Sequence, residues 1–438
     1  MKPACASKPG APPPRQRRYS LAAPLARPMI LAPRAARALL ALALPLFAVL
    51  PLQAAPAPTQ ESAAAVPPAT PAGPRVWLVG PSQPLSQALR SAADGDVIEL
   101  LPGDYTERVL IQDRRLTIRG VRGGEPPRVL GGGQPVAARA LWTIQGGEVL
   151  IENLEFRGAR STDGAGAAVR QEGGRLVLRR CRFFDNEHGL VALNDPKAEV
   201  QVEGSVFGLA PRVVGGLHHL VTIGRIARFS VTGTRFQQGF EGHLLKTRAR
   251  ETLIAYNFIH DGLRGGASLE IDIALAGDAT VIGNVIAQGS DTQNPVLLSY
   301  GSEGVAWDVN RLRVAHNTFV NHGWMPAWFL RVHRDRLPPG LELVAVNNLL
   351  VGGGLFEWLN EGRFEGNRHA TRGALADFAT NAFELPPSSG LRGQGADLRA
   401  LGLPQLLPVA EFDWTEGRKP LDPPPERRTR WSPGAFQK

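Results

Sequence analysis

A six-residue frame recurs along the middle of this chain, and it constrains the fold more than any other feature. The frame opens on an aliphatic or similar small apolar residue, puts a small or polar residue fourth and usually closes on an apolar sixth. It reads IENLEF from Ile151, LRRCRF from Leu178, VEGSVF from Val202 and VTGTRF from Val231. It continues as IAYNFI from Ile254, VIGNVI from Val281, VAHNTF from Val314 and AVNNLL from Ala345, with a looser IRGVRG from Ile118 opening the series. Frame starts lie about 23 to 33 residues apart, the period range of solenoids. Each frame has the length of a strand, not a helix, and its apolar positions alternate before a turn. A coil of two or three such strands cannot bury its inner face alone. Stacking coils about 4.8 Å apart buries that face and pairs every strand with its neighbours.

The fourth position of the frame runs Leu154, Cys181, Ser205, Thr234, Asn257, Asn284, Asn317 and Asn348. Asparagines stacked at an inward bend satisfy one another's amides and the backbone of the bend, so Asn257, Asn284, Asn317 and Asn348 read as a structural ladder. Cys181 holds the same place in its coil and reads as a packed thiol. The other cysteine, Cys5, lies far upstream, so no internal disulfide is expected.

Ahead of the frames, Leu85, Ala88, Leu89 and Ala92 fall on one helical face, with Ser82 placed to cap its start and Gly95 past its end. The run LSQALRSAADGDVIELLPGDYTERVLIQDRRLTIRG resembles the N-terminal cap and first coil of the pectate-lyase-like superfamily. That resemblance implies an all-β fold: a right-handed parallel β-helix whose end is plugged by a short helix. It covers most of residues 76–355, and the solenoid is expected over 76–365. The same scaffold carries lyases, epimerases, hydrolases, adhesins and binding proteins, so it does not by itself give the reaction. Residues 366–438 lose the repeat and read as a non-repeating C-terminal cap, with LPQLLPVAEFDW able to lie along the solenoid flank.

Residues 38–52 (ALLALALPLFAVLPL) form an apolar core preceded by Arg34 and Arg37 and followed by small residues, the layout of a secretory signal. A signal peptide is expected over 1–55, Met29 being the more ordinary start, followed by an Ala/Pro-rich linker over 56–75. Export to the periplasm or the medium follows, with no integral membrane segment after cleavage. The signal also accounts for the net charge of +9. Eight of the 49 basic residues lie in residues 1–55, which hold no acid, leaving 41 against 40 in the remainder. Nucleic-acid binding needs a persistent excess of Lys and Arg, so it is not expected.

Chemistry concentrates in the strands preceding the asparagine frames: HLLKTRA (243–249), SLEIDIA (268–274), VLLSYGS (296–302) and WFLRVHR (328–334). Period two turns Lys246 and Arg248 outward on one coil and Glu270 and Asp272 outward on the next, two cations against two carboxylates. His243, Ser299, Tyr300, Arg331 and His333 extend the same surface as substrate-binding candidates. One reading is a cross-strand ion-pair ladder. Another is a cleft for an acidic polysaccharide. Eliminating a uronate chain needs a neutraliser for the carboxylate, a base for the C5 proton and an acid for the leaving oxygen. Lys246 is then the candidate base, and Arg248 or a Ca2+ ion held by Glu241, Glu270 or Asp272 the neutraliser.

Residues 241–284 resemble the active-site coils of the alginate lyase and chondroitinase B family. Glu241 stands near that family's acidic metal-ligand position, Lys246-Thr247 at its Lys-Ser pair and Asn257 at its asparagine coil. The resemblance implies lyase-type β-elimination, but Asp272 occupies the position of the family's catalytic arginine. A hydrolase using Glu270 and Asp272 as acid and base, a C5-epimerase, and a non-catalytic carbohydrate-binding scaffold remain as alternatives. The sequence leaves the oligomeric state open.

Overall fold

The computed structural model of the protein describes residues 73–357 and 361–437; the expected signal peptide and residues 56–72 of the expected linker lie outside them. The described chain winds into a right-handed parallel β-helix with three sheets along its length. The first sheet runs from Val76–Val79 through Glu251–Ala255 and Asp278–Ile282 to Arg363–Glu365. The second runs from Val109–Gln112 through Leu245–Thr247, Ile271–Ile273, Val296–Tyr300 and Ala327–Val332 to Gly354–Phe356. The third has 11 short strands, from Asp104–Tyr105 to Arg368–Ala370. Two long strands, Ala140–Glu152 and Ala167–Arg179, pass through both the second and the first sheet.

The recurring frame is not one strand. Its first two residues end a strand of the first sheet, and its last two begin a strand of the third. The third residue turns the corner in the left-handed region: Asn153, Arg180, Gly204, Gly233, Tyr256, Gly283, His316 and Asn347 all have φ between 51° and 67°. That turn drives the fourth side chain inward. Asn284 Oδ1 accepts from both the backbone N and Nδ2 of Asn257 (2.9 Å each), while Asn284 Nδ2 reaches back to Ile254 O at 2.8 Å. Asn317 and Asn348 repeat the pattern. Asn367 adds a further rung beneath Asn348, because FEGNRH from Phe364 is one more frame and carries the solenoid past residue 365 to Arg368–Ala370. Toward the other end, Ser205 Oγ and Thr234 Oγ1 accept from the amides of Cys181 and Ser205. The sixth positions fill the interior: Phe156, Phe183, Phe207 and Phe236 stack with centroids 4.4 to 5.3 Å apart.

A helix, Leu85–Ser91, plugs the start of the coil with Leu85 and Ala88 buried. Ser82 does not cap it. Pro84 holds the N-cap position, and the Glu107 carboxylate accepts from the amides of Leu85 (2.6 Å) and Ser86 (3.1 Å) instead. The C-terminal residues lie along the flank rather than across the end. Leu398, Leu406 and Trp431 pack with Tyr256, Ile282 and Val346, and Phe383, Phe412 and Ala435 with Phe258, Val285 and Val320.

Candidate active site on the second sheet

Thr222, Lys246, Asp272, Ser299 and Arg331 occupy one register position on successive coils, on the outer face of the second sheet. Their neighbours Ile271 and Ile273 point into the core, as period two requires. Lys246 Nζ lies 3.3 Å from Asp272 Oδ2 and 2.9 Å from Glu303 Oε1. Arg248 grips the same Glu303 carboxylate through a fork, Nε to Oε2 at 2.6 Å and Nη2 to Oε1 at 2.7 Å. These hydrogen bonds, Arg248's first, lower the Glu303 pKa to about 2. Asp272 is almost fully enclosed and accepts from Ser302 Oγ at 2.7 Å.

His243 Nε2 stands 3.7 Å from Asp272 Oδ2. Its ring lies 4.8 Å from that of His219, whose Nδ1 accepts the His243 backbone amide. Burial holds the His243 pKa down to about 4 and that of His219 to about 2, so both imidazoles are uncharged at neutral pH. Further along the face, His333 Nε2 is 3.3 Å from Ser299 Oγ. The Arg331 guanidinium sits 5.9 Å from the centre of the Trp328 ring. Trp328, Arg331, His333 and Glu357 border a cavity of about 480 Å³.

Two sequence-expected site residues are inside the solenoid. Glu270 is fully buried, and among the described residues neither carboxylate oxygen finds a hydrogen-bond partner. The strand comprises only Ile271–Ile273, and at the corner before it period two breaks: Glu270 and Ile271 are consecutive and both buried, as are Leu244 and Leu245 on the preceding coil. Glu270 therefore cannot pair with a cation on the face, and the acid–base pair of a hydrolase built on Glu270 and Asp272 is ruled out. Tyr300 is likewise enclosed; it pairs with the inward Ile273, and its hydroxyl donates to Gly277 O at 2.6 Å. It is a core residue, not a substrate contact. Arg248 pairs with Glu303, not with an acid on the next coil.

Glu303, Ser302 and His219 were not candidates. Glu303 and Ser302 lie in the loop after Val296–Tyr300, where no periodicity sorts inside from outside. The adjacent His218-His219 pair was the available signal for His219.

Among the described residues no three His, Cys, Asp or Glu side chains gather as metal ligands. Glu241 Oε2 instead accepts the Gly215 amide at 2.5 Å.

No family model matches the chain, and no curated protein does. Among solved structures it is similar to pectate lyase Pel9A, at 13% identity and a TM-score of 0.60, over 84% of this chain and 97% of that one. Lower similarity joins it to the GH136 lacto-N-biosidase from Eubacterium ramulus (12% identity, 68% of each chain, TM-score 0.40). A mutant of the PL6 family alginate lyase AlyGC matches at 15% identity over 68% of this chain and 51% of that one, with a TM-score of 0.35. The first of these likenesses establishes the parallel β-helix.

Proposed function

We propose that this chain acts on an acidic, uronate-containing polysaccharide by β-elimination at the Lys246–Arg248 site. The observation that carries the reading is the convergence of two cations on one carboxylate. Arg248 holds both oxygens of Glu303 while Lys246 touches one of them, a geometry that a uronate carboxylate would meet equally well. Glu303 is part-exposed on a loop, so a substrate carboxylate can take its place. Arg248 then neutralises the uronate and acidifies C5–H. Lys246, beside the carbon bearing that carboxylate, is the group within reach of the C5 proton and takes it when its amine carries none. The C4–O4 bond breaks, the leaving oxygen takes a proton from water, and a C4=C5 double bond remains. Asp272, itself held by Ser302, fixes the lysine from below. An exported enzyme of this kind agrees with the signal expected in residues 1–55.

The test is an ultraviolet screen for unsaturated product with alginate, pectate and chondroitin. Release of product that Lys246→Ala abolishes, with the fold intact, is the expected result. Silence across the panel, or release unaffected by Lys246→Ala, sinks the proposal. One observation favours a second reading, a non-catalytic saccharide-binding scaffold: Lys246, Arg248, Asp272 and Glu303 already close their charges on one another. That reading predicts saccharide binding without turnover and tolerance of Lys246→Ala.

A further inference from the structure

A second cavity, of about 480 Å³, opens where the C-terminal hairpin overhangs the third sheet. The hairpin pairs Ala410–Asp413 with Gly417–Pro420, and its turn carries Trp414. Beneath it, Arg182, Val206 and Arg235 occupy one register position on three successive coils. The two guanidiniums thus flank an apolar floor of Val206 widened by Gly204 and Gly233.

The charges here are not closed as they are on the second sheet. Among the described residues Arg235 forms no ion pair, and its Nε is buried without a partner. Among the described residues Arg182 forms an ion pair only with Glu125, at 3.5 Å, and that carboxylate is 90% exposed. The carboxylate on the rim, Asp413, accepts the amides of Thr415 and Glu416 at 2.9 Å and lies near Lys419. The positive charge of Arg182 is felt at Arg235, whose own pKa is lowered first by burial and then by that repulsion. Trp414 supplies a rigid wall. It is 58% exposed, yet its ring is fixed against Phe258 (4.7 Å) and Phe412 (5.2 Å), with the Arg235 guanidinium 5.6 Å from its centre.

An arginine donor left buried without an acceptor calls for an anion, and planar guanidiniums match carboxylate or sulfate oxygens. An exposed, immobilised indole beside an apolar floor accepts the C–H face of a sugar ring. We propose that this cavity binds one unit of an anionic saccharide, its acidic group between Arg182 and Arg235 and its ring against Trp414. The site lies on a different sheet from Lys246 and does not depend on turnover there.

Calorimetric titration of the full chain with trigalacturonate (carboxylate) and with a chondroitin sulfate tetrasaccharide (carboxylate and sulfate) tests it, with mannotriose as the neutral control. The expected result is a binding event that weakens with salt, persists in the Lys246→Ala/Arg248→Ala double variant and is absent with mannotriose. Arg182→Gln and Arg235→Gln each weaken it about tenfold, roughly 1.4 kcal/mol. Trp414→Ala does the same, Trp414→Phe recovers most of it, and melting curves show that each variant is folded. A stronger response to the tetrasaccharide points to sulfate as the acidic group; equal responses point to carboxylate. Binding lost in the Lys246→Ala/Arg248→Ala variant but kept in Arg235→Gln would place the only site on the second sheet and overturn the proposal. No binding of either acidic probe, or equal binding of mannotriose, overturns it too. Binding here without elimination anywhere refutes the lyase reading alone.

Discussion

Glu270 sits where neighbouring coils place leucine. Leu245 pairs with Ile271, and Ile271 with Leu298, so Leu244 and Leu297 precede those positions as Glu270 does, and all three are fully buried. Burial, then the nearby charge of Asp261, raises the Glu270 pKa well above its usual 4.5, and burial raises that of Asp261 to about 7. The sign follows from proton counting. The folded state keeps a proton that the unfolded chain releases, so folding becomes less favourable as pH rises from 4.5 toward the raised value. Glu270→Leu removes this burden and should stabilise the protein by about 1–3 kcal/mol at neutral pH, with the advantage shrinking as pH falls toward 4.5. Urea unfolding of both proteins at several pH values measures it; a pH-independent difference refutes the assignment. Tyr300→Phe should cost about 1 kcal/mol by losing its bond to Gly277 while leaving saccharide binding untouched. Period two was enough to turn Lys246 and Asp272 outward, and applied strictly it also turns Tyr300 inward. It could not place Glu270, because a three-residue strand begins after that residue and the corner follows no alternation.

At the scale of the coil, the corner does the ordering. A left-handed third residue followed by an inward amide fixes each turn, and the amide chain runs one way, each rung's backbone N and Nδ2 pointing to the next rung's Oδ1. Asn284→Ala would strand the Asn257 backbone amide and remove the side-chain donor to Ile254 O and Asn317 Oδ1 at once, and is expected to destabilise by about 2–4 kcal/mol in chemical unfolding. Cys181 occupies the same corner, and burial pushes its thiol up to about 12. It should resist maleimide labelling in the native state and react only in denaturant; labelling at the native rate of an exposed thiol would contradict the packing. The ladder was legible because a buried backbone position tolerates few residue types, so its signature repeats. Its last rung, Asn367, was missed because its coil begins on Phe364 and follows the previous frame by a much shorter interval.

Over the whole molecule, period carried the fold and nothing in the period carried the partnerships between distant segments. Arg248 meets Glu303 from 55 residues away, and Ala435 N donates to Thr318 Oγ1 from 117 away. Such contacts arise from where loops and tails land on a finished surface, which local pattern does not encode. Trp431, 2% exposed in the flank cluster and beside His316, should be the most sensitive residue of the C-terminal segment. Trp431→Ala is expected to cost about 3–5 kcal/mol and to lower the melting temperature while strand content persists. The placement of that segment also sets a timetable. Phe258, Val285, Val320 and Leu349 are laid down early in synthesis, yet Phe412 and Ala435, which shield them, emerge only after the last coil is complete. A half-made chain therefore presents a greasy, strand-edged stripe until that segment arrives, and a chaperone that shields such stripes would find its client there.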